Sequence, residues 1–65
     1  MDTEIDTTNT FCVSVRSNGD RIAFFPPNHP ISPDEALVFA AWLVALAEPN
    51  ASFKFDEALE AVQST

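Results

Sequence analysis

The chain has 65 residues, enough for one small domain, and its ten acidic and three basic residues give a formal net charge of −7. This charge is repelled by nucleic acid and by anionic lipid, so we expect direct binding to neither. Cys12 is the only cysteine, which excludes an internal disulfide, and no Cys/His cluster has the spacing of a zinc site.

The polar, acidic composition of residues 1–9 predicts a flexible tail, followed by a single domain over residues 10–65. The first residues lack the apolar stretch of a signal peptide. We therefore expect a cytoplasmic protein.

Two stretches of alternating apolar residues, 10–16 and 21–25, predict a pair of β-strands. Asn18-Gly19 between them favours a two-residue hairpin turn, because both turn positions need a positive φ. The resulting register places one apolar set on a single face: Phe11, Val13, Val15, Ile22 and Phe24.

The same register places Arg16 opposite Arg21 and Cys12 opposite Phe25. A lone cysteine in a strand is more often a buried hydrophobe than a reactive thiol, so we expect Cys12 to be buried. Like charges opposed across two strands are destabilising and need compensation. Either Asp20 or another nearby acid supplies it, or an anionic ligand does.

Residues 33–48 predict the one long helix. Ser32 and Glu35 form a Ser-x-x-Glu capping box, with Pro33 at the first helical position. Pro49 should end the helix, since the residue before a proline is pushed out of the helical region.

No polar residue occurs from 36 to 47, so this helix is apolar on every side and needs to be covered on every side. A hairpin covers one side only. We expect the other side to pack against the same helix of a second copy, most simply in a two-fold dimer, through Leu37, Val38, Ala41, Trp42, Val44 and Ala45. The alternative is that the C-terminal segment folds back over it within one chain.

For the C-terminal segment we predict a short strand at 51–55 and a helix at 57–63 capped by Asp56. One helix from Ser52 to Gln63 is the alternative. The fold class is then α+β: a small ββα unit, with the hairpin packed on the long helix, a short C-terminal strand or helix, and assembly through the long helix.

The pattern holds no catalytic constellation, so we expect no enzyme, no metal and no cofactor. The candidate ligand-binding residues are the two arginines, Phe25 as a stacking ring and His29 in the proline-rich loop: Arg16, Arg21, Phe25 and His29.

Three stretches, 22–26, 31–37 and 40–43, resemble small acidic accessory proteins encoded by tailed bacteriophages and prophages. The resemblance covers about residues 11–48 and carries no site residue across. It implies expression in a bacterial host and interference with host defence. We therefore expect non-catalytic capture of a small anionic ligand, such as a nucleotide signal. The alternatives are an acidic inhibitor of a host protein, which could mimic nucleic acid, and a purely structural self-associating protein.

Overall fold

The computed structural model describes residues 4–65. A two-stranded antiparallel hairpin precedes a long helix and a shorter one, in the order β1 (Ser14–Arg16), β2 (Arg21–Ala23), α1 (Pro33–Ala47) and α2 (Phe55–Gln63). The α+β class predicted from the sequence is confirmed. Neither described helix is both long and apolar enough to cross a bilayer.

The long helix begins where its capping signal predicts. The Ser32 hydroxyl accepts a hydrogen bond from the Glu35 backbone N–H (3.1 Å), and the Glu35 carboxylate accepts one from the Ser32 backbone N–H (2.9 Å). Two backbone donors of the first turn region are thereby satisfied. The α-helix ends at Ala47, one residue earlier than predicted, and a single 3₁₀ turn over Glu48–Asn50 contains Pro49.

The hairpin has the predicted register, with Ser14 opposite Ala23, Val15 opposite Ile22 and Arg16 opposite Arg21. The regular strands are shorter than predicted, at three residues each. The expected pairing of Cys12 with Phe25 is wrong.

The pairing fails because Cys12 has a φ of 51°, which bends the chain just before β1. The Phe25 N–H instead donates to the carbonyl oxygen of Phe11 (2.8 Å), the residue before Cys12. An extra residue of this kind is the signature of a β-bulge. Cys12 is also exposed, so the expectation that it is buried is wrong.

The hairpin packs on α1 through aromatic rings. Phe39 lies at the centre, with its ring 4.7 Å from that of Phe11 and 5.6 Å from that of Phe24, measured between centroids. Val13 is the one buried side chain among the described residues, at 4% exposed. The predicted apolar face therefore meets the helix at its middle, while Val15 near the turn stays 43% exposed.

The C-terminal segment forms α2 without a preceding strand, so the predicted strand at 51–55 is wrong. Asp56 lies in the first turn of α2 and is not its N-cap. Two acidic side chains hold the helix start instead: Glu57 accepts from the Lys54 N–H (2.9 Å) and Glu48 from the Phe55 N–H (2.7 Å). The 3₁₀ turn after α1 thus supplies a cap to α2.

Candidate functional site

The hairpin turn presents the two arginines. Asn18 and Gly19 both have positive φ, at 55° and 97°, and the Asp20 N–H donates to the Ser17 carbonyl oxygen (3.1 Å). This is the predicted tight turn between the strands. It fixes Arg16 and Arg21 directly opposite each other at the strand ends, where both side chains are exposed.

The Arg21 guanidinium donates from Nη1 to the Asp20 backbone carbonyl oxygen (3.0 Å). A guanidinium has five N–H donors, so this bond occupies one of them. The carboxylate of Asp20, which we expected to compensate the arginine pair, is not the acceptor in this contact.

The other two candidate ligand residues lie further along the chain. Phe25 is 69% exposed, and its backbone lies at most about 13 Å from that of Arg21, given a rise of roughly 3.3 Å per residue. His29 is exposed, with its ring Nδ1 2.8 Å from the Pro30 carbonyl oxygen. The hairpin therefore offers an open surface with cations at the turn and an aromatic ring beyond them.

The segment before the hairpin contacts α1. The Trp42 indole N–H donates to the Thr7 carbonyl oxygen (2.9 Å). The Asn9 side chain accepts from the Val13 N–H (2.9 Å) and donates to the Val13 carbonyl oxygen (3.0 Å), on either side of the buried valine. Thr7 is thereby bonded to the long helix and Asn9 to the residue that precedes β1. Residues 1–3 of the predicted tail lie outside the described residues.

A second candidate surface lies between this segment and α1. We call it the α1 groove, and it is lined by Ile5, Thr7, Leu37, Val38, Ala41, Trp42 and Ala45. Its volume is about 370 Å³. Ile5 and Leu37 are each 71% exposed, although both are large and apolar. The single chain thus leaves large apolar side chains of this groove in contact with water.

The predicted interface residues fall largely in this groove. Leu37, Ala41 and Ala45 are exposed, whereas Val38, Trp42 and Val44 are half-buried within the single chain. Val44 does not line the groove. Sequence reasoning missed Ile5 and Thr7, because residues 1–9 were interpreted as a tail.

The groove continues into an adjoining cleft of about 430 Å³ at the start of α1, which shares Ile5, Leu37, Val38 and Trp42 with it. This cleft carries four acidic side chains, which we call the acidic end: Glu4, Asp6, Asp34 and Glu35. The hydroxyl and the backbone N–H of Thr8 both donate to Asp6 (2.6 and 3.0 Å) and hold the pKa of that carboxyl below its ordinary value.

The four candidate ligand residues line neither the α1 groove nor the adjoining cleft. The chain therefore has two separate candidate surfaces, one cationic at the hairpin and one apolar and acidic on α1. Within residues 4–65, no three side chains of the metal-ligating types come together in a group that could hold an ion.

No family model, curated protein or solved structure significantly matches this chain.

Proposed function

We propose that this chain is a non-catalytic binding protein that assembles with its own copies and holds a small anionic ligand at the hairpin arginines. The observation that carries the proposal is the register of Arg16 against Arg21 in a chain of net charge −7. Two like charges held opposite each other destabilise the hairpin. An anion bound between the two guanidinium groups attracts both of them, so the pair would then stabilise the hairpin.

A phosphate group fits this surface chemically. Guanidinium groups donate two parallel N–H bonds to phosphate oxygens, and the single bond from Arg21 to a carbonyl leaves its other donors free for this. The exposed ring of Phe25 supplies a stacking surface for a base, and His29 lies in the following loop. By the phage resemblance, the ligand is a nucleotide signal of host defence in the cytoplasm of a bacterial host.

Self-assembly is supported by the surface that the single chain leaves exposed. Its accessible surface is 5592 Å², whereas a folded monomer of 7.1 kDa is expected to have about 4,100 Å². A standard interface covers about 800 Å² on each partner, and permanent homodimers cover more. The excess of about 1,500 Å² is therefore enough for a permanent interface, which we propose includes the α1 groove.

The ligand proposal is tested by native mass spectrometry of the protein purified from bacterial cells, followed by calorimetric titration with ATP and with a cyclic dinucleotide. Arg16→Ala and Arg21→Ala should each weaken nucleotide binding at least about 10-fold, because each removes a charge-assisted hydrogen bond. Lys54→Ala is the matched control, since it removes the third cation of the chain, at the start of α2. An equal loss of nucleotide affinity in all three variants would show that net charge alone causes the effect. The assignment of the ligand site to Arg16 and Arg21 would then be wrong.

The α1 groove with its acidic end favours a second candidate function, inhibition of a host protein by an acidic, partly apolar surface. An apolar floor beside a single sign of charge is complementary to a basic partner. Capture of one partner from host lysate at low salt, lost at high salt and lost in Leu37→Gln, is the expected result for this function. If neither a ligand nor a partner is found, self-association as a structural component is what remains.

A further inference from the structure

Two apolar surfaces of this chain are exposed at once. One is the α1 groove. The other is the apolar edge of α2, formed at i, i+4 and i+7 by Phe55, Leu59 and Val62, which are 42%, 42% and 70% exposed. Within the single chain α2 does not cover the groove, contrary to the alternative in which the C-terminal segment folds back over the long helix.

We infer that the apolar edge of α2 from a second copy fills the α1 groove, reciprocally, in a two-fold dimer. This inference rests on the self-assembly part of the proposed function and names the segment that forms the interface. A two-fold contact uses the same pair of surfaces twice. One mode of contact thus covers both exposed surfaces on both chains.

The dimensions of the two surfaces agree. At a rise of about 1.5 Å per residue, the apolar edge of α2 from Phe55 to Val62 is about 10.5 Å long. The groove along α1 from Leu37 to Ala45 is about 12 Å long by the same rise. Ala41 and Ala45 leave room for a close approach of the second helix, and Leu37 stands at the other end of the groove.

The charges select one direction for the docked helix. Lys54 immediately precedes α2, and the acidic end of the groove lies at the start of α1. Placing Lys54 at the acidic end makes the docked α2 run in the same direction as α1. At 100° per residue, Asp56, Glu57 and Glu60 then lie at least about 90° from the centre of the docked edge and avoid the acids of the groove.

This placement puts Phe55 against Leu37 and Val62 against Ala45. The pairing of large with small side chains at Ala45 is what close packing of two helices requires. An α1-on-α1 dimer, the simplest form of the sequence prediction, would leave the α2 edge exposed.

The first experiment measures the mass of the wild-type chain and of two variants by light scattering across a concentration series. Leu37→Gln changes the groove and Val62→Gln changes the α2 edge, and both residues are about 70% exposed, so neither substitution should unfold the chain. Each should raise the dimer Kd by about 100-fold or more, because each contact is lost twice. Glu60→Gln, on the opposite side of α2, is the control and should remain dimeric.

The outcomes separate this inference from the proposal on which it rests. If Leu37→Gln is monomeric but Val62→Gln stays dimeric, α2 does not fill the groove and assembly occurs through α1 alone. If the wild-type chain is monomeric throughout the concentration series, both the inference and the self-assembly proposal are overturned.

The second experiment tests the geometry directly by disulfide formation in a Cys12→Ser background. Ala45→Cys combined with Val62→Cys should give a disulfide-linked dimer under mild oxidation, since the inferred contact brings these positions together. Ala41→Cys alone should not, because that link requires two α1 helices crossing at their centres. The reverse pattern would overturn the inference.

Discussion

Replacing Gly19 by alanine tests the hairpin turn that positions the arginines. Gly19 has a φ of 97°, in the left-handed region that side chains rarely adopt. A Cβ atom there would also lie 2.7 Å from Asn50 Nδ2 and 3.1 Å from Asn50 Cγ. The substitution therefore combines backbone strain with a steric clash.

The two contributions differ in size. A left-handed backbone costs a non-glycine residue about 1–2 kcal/mol. The clash adds less, because Asn50 is exposed and its side chain can rotate away. We expect Gly19→Ala to lower the free energy of unfolding by about 1–2 kcal/mol, which for a domain of this size lowers Tm by about 4–16 °C.

Thermal unfolding followed by circular dichroism, at one fixed protein concentration, measures this change. Gly19→Ala combined with Asn50→Ala should recover only the smaller, steric part. Ser17→Gly is the matched control: Ser17 has a φ of 55°, so glycine there relieves strain and should not lower Tm. A Gly19→Ala protein with the wild-type Tm would refute both the turn geometry and the strain assigned to it.

Three further predictions follow from the hydrogen bonds. Ser32→Ala breaks the capping box and should cost about 1 kcal/mol of stability in urea unfolding, whereas Ser52→Ala, outside the helices, should have no effect. Trp42→Phe removes the bond to the N-terminal segment and should cost about 0.5–1.5 kcal/mol, with faster amide exchange before residue 9 as the local readout; unchanged exchange would argue against that contact. The hydrogen bonds from Thr8 lower the pKa of Asp6. The stabilisation that they give is therefore present above the ordinary carboxyl pKa, and it is lost as the pH falls through the lowered pKa of Asp6. In a carboxyl NMR titration Thr8→Val should move the Asp6 midpoint upward, and an unmoved midpoint would contradict the assigned cause.

The features that sequence reasoning predicted correctly depend on neighbouring residues. The capping box needs only Ser32 and Glu35, three positions apart, and the turn needs only Asn18-Gly19 between two apolar stretches. The position of the turn determines the register of the hairpin. This register places Arg16 opposite Arg21, at one end of the candidate site.

The features it missed depend on contacts between distant parts of the chain. The start of α2 is capped by Glu48, seven residues before Phe55, and local propensity alone favoured a strand there. The bend at Cys12 accompanies the two hydrogen bonds between the Asn9 side chain and the Val13 backbone. The only sequence signal for these bonds is an asparagine ahead of the first strand. The α1 groove was missed in part because the Thr7–Trp42 bond spans 35 positions.

Val13, the single buried residue among those that the structure describes, has a consequence for how this sequence can evolve. Packing restricts a residue's identity most where no solvent is available to accommodate a change. With one such position among the described residues, neutral drift can replace most apolar side chains outside the inferred dimer interface by others of similar size. Descendants of this chain should therefore keep Asn9, Asn18-Gly19 and the Ser32–Glu35 pair longer than they keep the identities of these apolar residues.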